Sequence, residues 1–239
     1  MPRFFVETTE GDTLTISGQD AVHIRRSLRM EVGDELTVCD GHGTDCTCVI
    51  RAFSGDDVVL DVTARTPSSS EPTCAVTLYQ GLPKADKMEW IIQKAVELGV
   101  TRIVPVQMAR SVAVINEKSG KKAARWQKIA DEAAGQSGRG ILPVVESPIP
   151  FREAAVRLAT ETALVCYECG GEPFTSLVSR ESTAVSLVIG PEGGFDPKEI
   201  DTLREGGARI ATLGPRILRC ETAPIAALAV LMAASGNME

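Results

Sequence analysis

From residue 75 onward the chain alternates between short β-branched apolar runs and longer amphipathic ones, and this alternation restricts the fold more than any other feature. Strands are expected over 75–79, 103–107, 163–167, 185–189 and 209–213, and helices over 84–98, 121–135, 152–159, 197–205 and 222–234. Alternation of this kind predicts an α/β unit, a mainly parallel sheet with helices on its faces and ligands at the carboxyl ends of its strands. Composition agrees: 44% of residues are hydrophobic but only 4% aromatic, so the core is built from Val, Ile, Leu and Ala, as buried parallel sheets are. One helix start is fully specified. Asp196 can cap the first amides, Pro197 suits the first helical position, Glu199 completes a D-x-x-E capping box, and Gly206-Gly207 supply the stop.

Upstream the pattern changes. The polar, Pro-bracketed stretch 66–73 reads as a linker, and before it short strand segments (14–16, 35–39, 47–50, 58–62) alternate with turns at Gly33-Asp34, 40–43 and 55–57. One helical segment is expected over 20–30. The sequence therefore predicts a small N-terminal β-barrel or sandwich over 1–70 and a second domain over 74–239.

Several classes are excluded. Residues 1–7 lack the apolar stretch of a secretory signal, and the longest apolar run, 223–234, is too short for a bilayer and contains Pro224. Seven scattered cysteines, an odd number, form no disulfide framework and read as reduced thiols, so a cytoplasmic protein is expected. The net charge of −7 opposes nucleic acid at first sight. Its distribution does not, because residues 102–139 carry +5 against −12 for the rest, and Arg25, Arg26 and Arg29 form a second basic cluster. A solvated helix face explains each cluster separately; the two together make a polyanion partner an even alternative.

Two segments stand out chemically. The strand ending at Ile189 runs into Gly190-Pro191-Glu192-Gly193-Gly194, where glycines let a ligand approach backbone N–H groups. The next strand runs into Leu213-Gly214-Pro215-Arg216-Ile217-Leu218-Arg219-Cys220-Glu221, before an apolar helix. Tight strand-to-helix turns explain each loop equally well; as opposite walls of one pocket they would make a binding site. No G-x-G-x-x-G follows a strand, and Gly120-Lys121 fails as a P-loop. No metal site is expected: Cys166 and Cys169 form one C-x-x-C without a second pair, and Cys39, His42, Cys46 and Cys48 fit a hairpin. Trp90 and Trp126 fall on apolar helix faces and are expected in the core.

These residues bring a family into view. The chain closely resembles the 16S ribosomal RNA uridine-N3 methyltransferases (the RsmE type) of the SPOUT, or trefoil-knot, superfamily. The resemblance runs through MPRFFV at the start, H-x4-LR-x3-GD from His23, LYQGLPKADKMEWIIQKAVELGV from Leu78, and ARSV from Ala109. It continues through RWQKIADEAAGQSGR from Arg125, IGPEGGF from Ile189 and LGPRILRCETA ending at Ala223. It covers nearly the whole chain in order, and the last two motifs are specific. Cys220 stands where the family usually has Thr, and Gly135 where Glu is common, which puts any carboxylate role at 135 in doubt.

The resemblance implies a PUA-like β-barrel followed by a trefoil-knotted sheet, and S-adenosylmethionine as cofactor. Transferred residue by residue, the cofactor-binding positions would be Val165, Ile189, Gly190, Pro191, Gly193, Gly194, Leu213, Gly214, Ile217, Leu218, Thr222 and Ala223, with Cys166 beside Val165. Methyl transfer from a sulfonium is an in-line displacement in which the protein mainly positions the reactants. Uridine N3 must lose a proton first, and the charge spreads to O2 and O4, so a guanidinium there would favour the reacting state. Arg219, Arg110 and Arg139 are the expected catalytic arginines, with Glu192, and Glu221 beside it, as possible proton acceptors. Arg3, Arg25, Arg26, Arg29, Lys121, Lys122, Arg125 and Gln136 are expected on RNA, with the target base turned out of its stack. The expected partners are 16S ribosomal RNA, within the small ribosomal subunit, and a second copy of the chain, since helix 222–234 is apolar nearly all round. A SPOUT ribose 2′-O-methyltransferase and a non-catalytic RNA-binding assembly factor are the alternatives.

Overall fold

The computed structural model describes residues 2–117 and 119–239; Met1 and Lys118, the latter one of the basic-stretch cations, lie outside the described residues. The chain divides into two compact units, one taking in residues up to Glu71 together with Ala134–Leu142, the other Pro72–Ala133 with Pro143–Glu239.

The first unit is a five-stranded sheet of β1 (Arg3–Phe5), β2 (Thr13–Ile16), β3 (Glu35–Cys39), β4 (Thr44–Ser54) and β5 (Asp57–Pro67), in the order β1-β3-β4-β5-β2. Strand alternation buries Leu14, Ile16, Leu36, Val38, Cys46, Cys48, Ile50, Val58 and Leu60 on one side. Helix α1 (Gly18–Val22) adds Ala21, and the wider π-type turn His23–Ser27 that follows adds Ile24. The helix expected over 20–30 therefore starts two residues earlier and loosens at His23, where Leu28 N–H reaches back to the His23 carbonyl at 3.0 Å. β1 was not anticipated; it is short and pairs in parallel with β3, a contact no local pattern records. β5 also claims Thr66 and Pro67 from the expected linker.

Residues 134–142, expected in the second domain, belong with this first unit. Gly43 N–H donates to the Gly140 carbonyl at 3.0 Å and Leu142 N–H to the Gly41 carbonyl at 3.0 Å. Glu71 Oε1 accepts from the amides of Gly140 (2.9 Å) and Ile141 (3.0 Å), and Glu71 Oε2 takes Arg139 Nη2 at 2.7 Å. These bonds span about seventy to a hundred residues of chain, so periodicity could not reveal them.

The second unit carries the parallel sheet. Its main strands are β6 (Ala75–Gly81), β7 (Arg102–Gln107), β10 (Ala163–Cys166), β12 (Ala184–Ile189) and β13 (Arg209–Thr212), with short β8 (Val144–Val145), β9 (Ile149–Pro150) and β11 (Glu172–Pro173) at the margins. The order is β11-β13-β10-β12-β6-β7-β8, with β9 also pairing β7. Ile210, Val165, Val188, Tyr79 and Val104 lie in register across five strands, a continuous apolar row. Ala154 and Leu158 of α4 (Phe151–Leu158) and Ile200 and Leu203 of α5 (Pro197–Glu205) cover that row. Each fully buried aliphatic side chain contributes roughly 1.5–3 kcal/mol. α2 (Lys87–Glu97) and α6 (Thr222–Ala234) pack on each other, and α6 packs on β12. α3 (Ser119–Ser137) buries Ala123, Trp126 and Ala130.

The α/β class with a parallel sheet flanked by helices is the one anticipated, and α5 and α6 begin and end where the sequence placed them. The capping box at α5 is complete: Asp196 accepts from Lys198 N–H, and Glu199 Oε2 accepts from Asp196 N–H at 2.9 Å. Trp126 is buried as expected. Trp90 is not; it stands 44% exposed on α2, because its neighbours Ile91 and Ile92 take the inward positions. Among the described residues no helix is long and apolar enough to cross a membrane.

Candidate active site

The two glycine-proline loops meet. Both leave carboxyl ends of sheet strands, one from β12 and one from β13, and together with the end of β10 they line a cavity of about 490 Å³. The first wall is Ile189–Gly194, the second Leu213, Gly214, Arg216–Cys220 and Ala223, and the third Cys166, Tyr167 and Glu168. The volume lies within the range of small-ligand sites.

Glycine is required here for two reasons. A Cβ on Gly81, at the end of β6, would come 2.5 Å from Pro191 N, so only glycine lets that strand end back against the 190–191 peptide. Gly214 sits at φ +105°, in the left-handed region, which lets the second loop turn away from β13. Gly193 lies under Arg110, whose Cβ a side chain would approach to 2.9 Å.

The polar groups are arranged around Lys87, the first residue of α2. Its Nζ lies 3.2 Å from Glu192 Oε1 and 3.0 Å from Glu221 Oε2. Burial works to raise the Glu192 carboxyl, but the Lys84 amide and the Lys87 ammonium outweigh it and hold the group below the usual carboxylate range. The Cys220 thiol and Lys87 do the same for Glu221. Burial, reinforced by Glu221 and Glu192, pushes the Cys220 thiol up to about 12. Burial alone pushes Cys166 up to about 12.

Most residues singled out in the sequence come together. Ile189, Gly190, Pro191, Gly193, Gly194, Leu213, Gly214, Ile217, Leu218 and Ala223 line the cavity, as do Glu192 and Arg219. Arg110 stands just behind it, donating from Nη1 to the Gly193 carbonyl at 3.1 Å. Arg110 and Glu221 are outside the lining itself, and three further residues also do not reach it. Val165 is fully buried in the sheet core one residue before Cys166, Thr222 opens α6 with its N–H on the Arg219 carbonyl, and Arg139 belongs to the first unit. Arg139 is 2% exposed and its guanidinium is held by Glu71.

The residues expected on RNA divide in the same way. Arg26, Arg29, Lys121, Lys122 and Gln136 are exposed; Arg125 is exposed and paired with Glu89 at 2.8 Å. Arg3 is occupied by a two-bond ion pair with Asp45 at 2.5 and 2.7 Å. Arg25 donates to the carbonyls of Gly55 (2.6 Å) and Asp57 (3.2 Å) and lies over the Phe53 ring, so it fastens the π-type turn to the β4–β5 hairpin. Sequence reasoning passed over Lys87 and Glu168; the buried Glu199, read there only as a capping residue, also accepts the Ala109 amide through Oε1 at 2.8 Å and so anchors the segment carrying Arg110. The motif ADKMEW contained Lys87, but nothing in its spacing pointed at loops more than a hundred residues away.

Comparison with known proteins points to one family. A family model described as an RNA methyltransferase domain matches residues 69–232, and one described as an RNA methyltransferase PUA domain matches residues 16–63. Ribosomal RNA small subunit methyltransferase E of Bacillus subtilis is 38% identical over 245 residues, covering 97% of this chain and 96% of the relative. The crystal structure of ribosomal RNA small subunit methyltransferase E from Neisseria gonorrhoeae, bound to S-adenosyl methionine, superposes with a TM-score of 0.87 at 30% identity, covering 98% of this chain and 97% of that one. A methyltransferase from Legionella pneumophila in complex with the same cofactor gives a TM-score of 0.86 at 33% identity, with 97% of each chain covered. The chain belongs to the RNA methyltransferase family, with a PUA domain in its N-terminal part.

Proposed function

We propose that this chain transfers a methyl group from S-adenosylmethionine to N3 of a uridine in 16S ribosomal RNA, in the cytoplasm, as a homodimer acting on the small ribosomal subunit. The observation that carries the reading is the meeting of the two glycine-proline loops around one cavity at the carboxyl edge of the sheet. The relatives named above, ribosomal RNA methyltransferases and cofactor-bound structures, support the substrate and the donor. A knotted passage of the chain is supported by the strand order, in which β10 separates β12 from β13, and by Gly81 backing directly on Gly190–Pro191.

The residues present fit such a donor. Ile189, Leu213, Ile217, Leu218 and Ala223 offer an apolar enclosure for a purine, and Gly190, Gly193, Gly194 and Gly214 line the cavity with backbone that carries no side chain. Glu168 and Glu192 add carboxylates for hydroxyl or ammonium groups. The donor supplies an activated methyl on a sulfonium sulfur. Arg219, with Arg110 behind Gly193, holds the uridine or a neighbouring phosphate and stabilises the charge that appears on O2 and O4 as the N3 proton leaves. Glu192 and Glu221 are the candidate proton acceptors; both are ionised, and the Lys87 ammonium that keeps them so also weakens them as bases. Arg26, Arg29, Lys121, Lys122, Arg125 and Gln136 remain the surface groups for the RNA backbone.

The test is methylation of small-subunit particles and of naked RNA with labelled donor, followed by mapping. Label on uridine N3 is the expected result, and Arg219→Ala lowers the rate by about 100-fold or more with the fold retained. Label on a ribose 2′-oxygen overturns the base specificity. Absence of donor binding in calorimetry overturns the enzymatic reading altogether.

A further inference from the structure

Lys87 belongs to neither glycine-proline loop, yet its ammonium touches both. Glu192 lies on the loop after β12 and Glu221 at the end of the loop after β13, and each carboxylate reaches the same nitrogen, at 3.2 and 3.0 Å. Cys220 Sγ stands 3.9 Å from that nitrogen and 3.1 Å from Glu221 Oε2, to which it donates. Glu192 Oε1 also accepts the Lys84 amide at 3.0 Å, so the first loop is met by Lys87 at the start of α2 and by the segment just before it. β12 and β13 are not neighbours in the sheet, since β10 lies between them. The ladders to β10 set the strand ends two strands apart, but beyond Ile189 and Thr212 no ladder holds the two loops at a fixed distance.

We propose that Lys87 is a positioning residue that ties the two cavity loops together and keeps the Glu192 and Glu221 carboxylates facing one another across a shared ammonium. The assignment of the cavity to a methyl donor rests on the function proposed above; the tie itself rests on the contacts. Without the ammonium, two carboxylates no more than about 6 Å apart would repel, and the loops carrying them would separate. The side chain is one-third exposed, so its ion pairs add little to global stability, and their loss acts on the cavity and not on the fold. A site set in advance spends less of its binding energy on ordering loops.

The sign of the electrostatic effect follows from the neighbours. Glu192 faces the Lys87 ammonium, the Lys84 amide and its own amide, while Glu221 faces the Cys220 thiol, Lys87 and its own amide. Removing Lys87 takes away the one cation common to both, so both carboxylates hold their protons to higher pH.

The experiment compares the full-length protein with Lys87→Gln and Lys87→Arg. Side-chain carboxylate titrations are followed by NMR of glutamate-labelled protein without donor or RNA, and S-adenosylhomocysteine binding is measured by calorimetry. In Lys87→Gln the Glu192 and Glu221 titrations are expected to move up by about one pH unit. Affinity falls about tenfold, and the thermal unfolding midpoint stays in place. Lys87→Arg, which keeps the cation, restores both readouts at least in part. Unchanged carboxylate titrations in Lys87→Gln overturn the tie, as does unchanged affinity. If the carboxylates shift but the unmodified protein binds no S-adenosylhomocysteine, the tie stands and the donor assignment falls.

Discussion

Cys220 shows how one residue type is changed by its position. The thiol is buried at the cavity wall beside Glu221 and within reach of Glu192, and both effects push its ionisation up to about 12. At pH 8 its thiolate fraction is on the order of one in ten thousand, so it is a poor nucleophile despite lying in a pocket. Cys169, three residues beyond buried-side Cys166, is exposed. Alkylation with iodoacetamide at pH 8, followed by peptide mapping, is expected to label Cys169 first and leave Cys166 and Cys220 largely unmodified. Labelling of Cys220 as fast as Cys169 would remove the burial argument. At this scale the cavity residues were legible because Gly190, Gly193, Gly194 and Gly214 sit in loops between recognisable elements. Lys87 was not, since its role comes from contacts with Glu192 and Glu221, distant in sequence.

Between elements, the segment 134–142 marks the limit of local pattern. The end of α3 reads as helix in the sequence and is helix in the structure, but its attachment to the first unit depends on Glu71. One carboxylate there receives Arg139 and two consecutive backbone amides. Arg139→Ala breaks a buried ion pair and leaves Glu71 without its cation, with an expected loss of about 3 kcal/mol. The readout is a lower urea midpoint, together with normal methyl transfer by the fraction that remains folded. Lost transfer at unchanged stability would return Arg139 to the catalytic group. The α5 cap, by contrast, was fully legible, because a capping box is a relation between residues three apart and helix geometry fixes the rest.

For the molecule as a whole, α6 is the informative element. It is apolar around its circumference, and Ile225, Ala226, Ala229 and Val230 remain only partly buried within the single chain. Such a helix asks for a further partner, and the proposed one is the second subunit. Sedimentation is expected to give a dimer, and Val230→Glu to give monomers with weaker donor binding; a monomeric unmodified protein would overturn the dimer. In the same experiments S-adenosylmethionine at 100 times its Kd should stabilise the folded state by about 2.7 kcal/mol, read as a raised unfolding midpoint.

The sequence by itself determined the main strands and helices of the second unit, though not its short marginal strands β8, β9 and β11, together with the existence of two differently built parts and the two glycine-proline loops. Each of these depends on relations within a few residues: hydrophobic period, capping spacing, turn composition. Only the tertiary structure decided that Arg139, Arg3 and Arg25 are held by internal partners, that Trp90 faces outward, and that Lys87 joins the walls of the cavity. The physical reason is common to all five. Where a charge finds its counter-charge, and which side of a helix is covered, are set by groups far apart in the chain and brought within a few ångströms only when the sheet assembles.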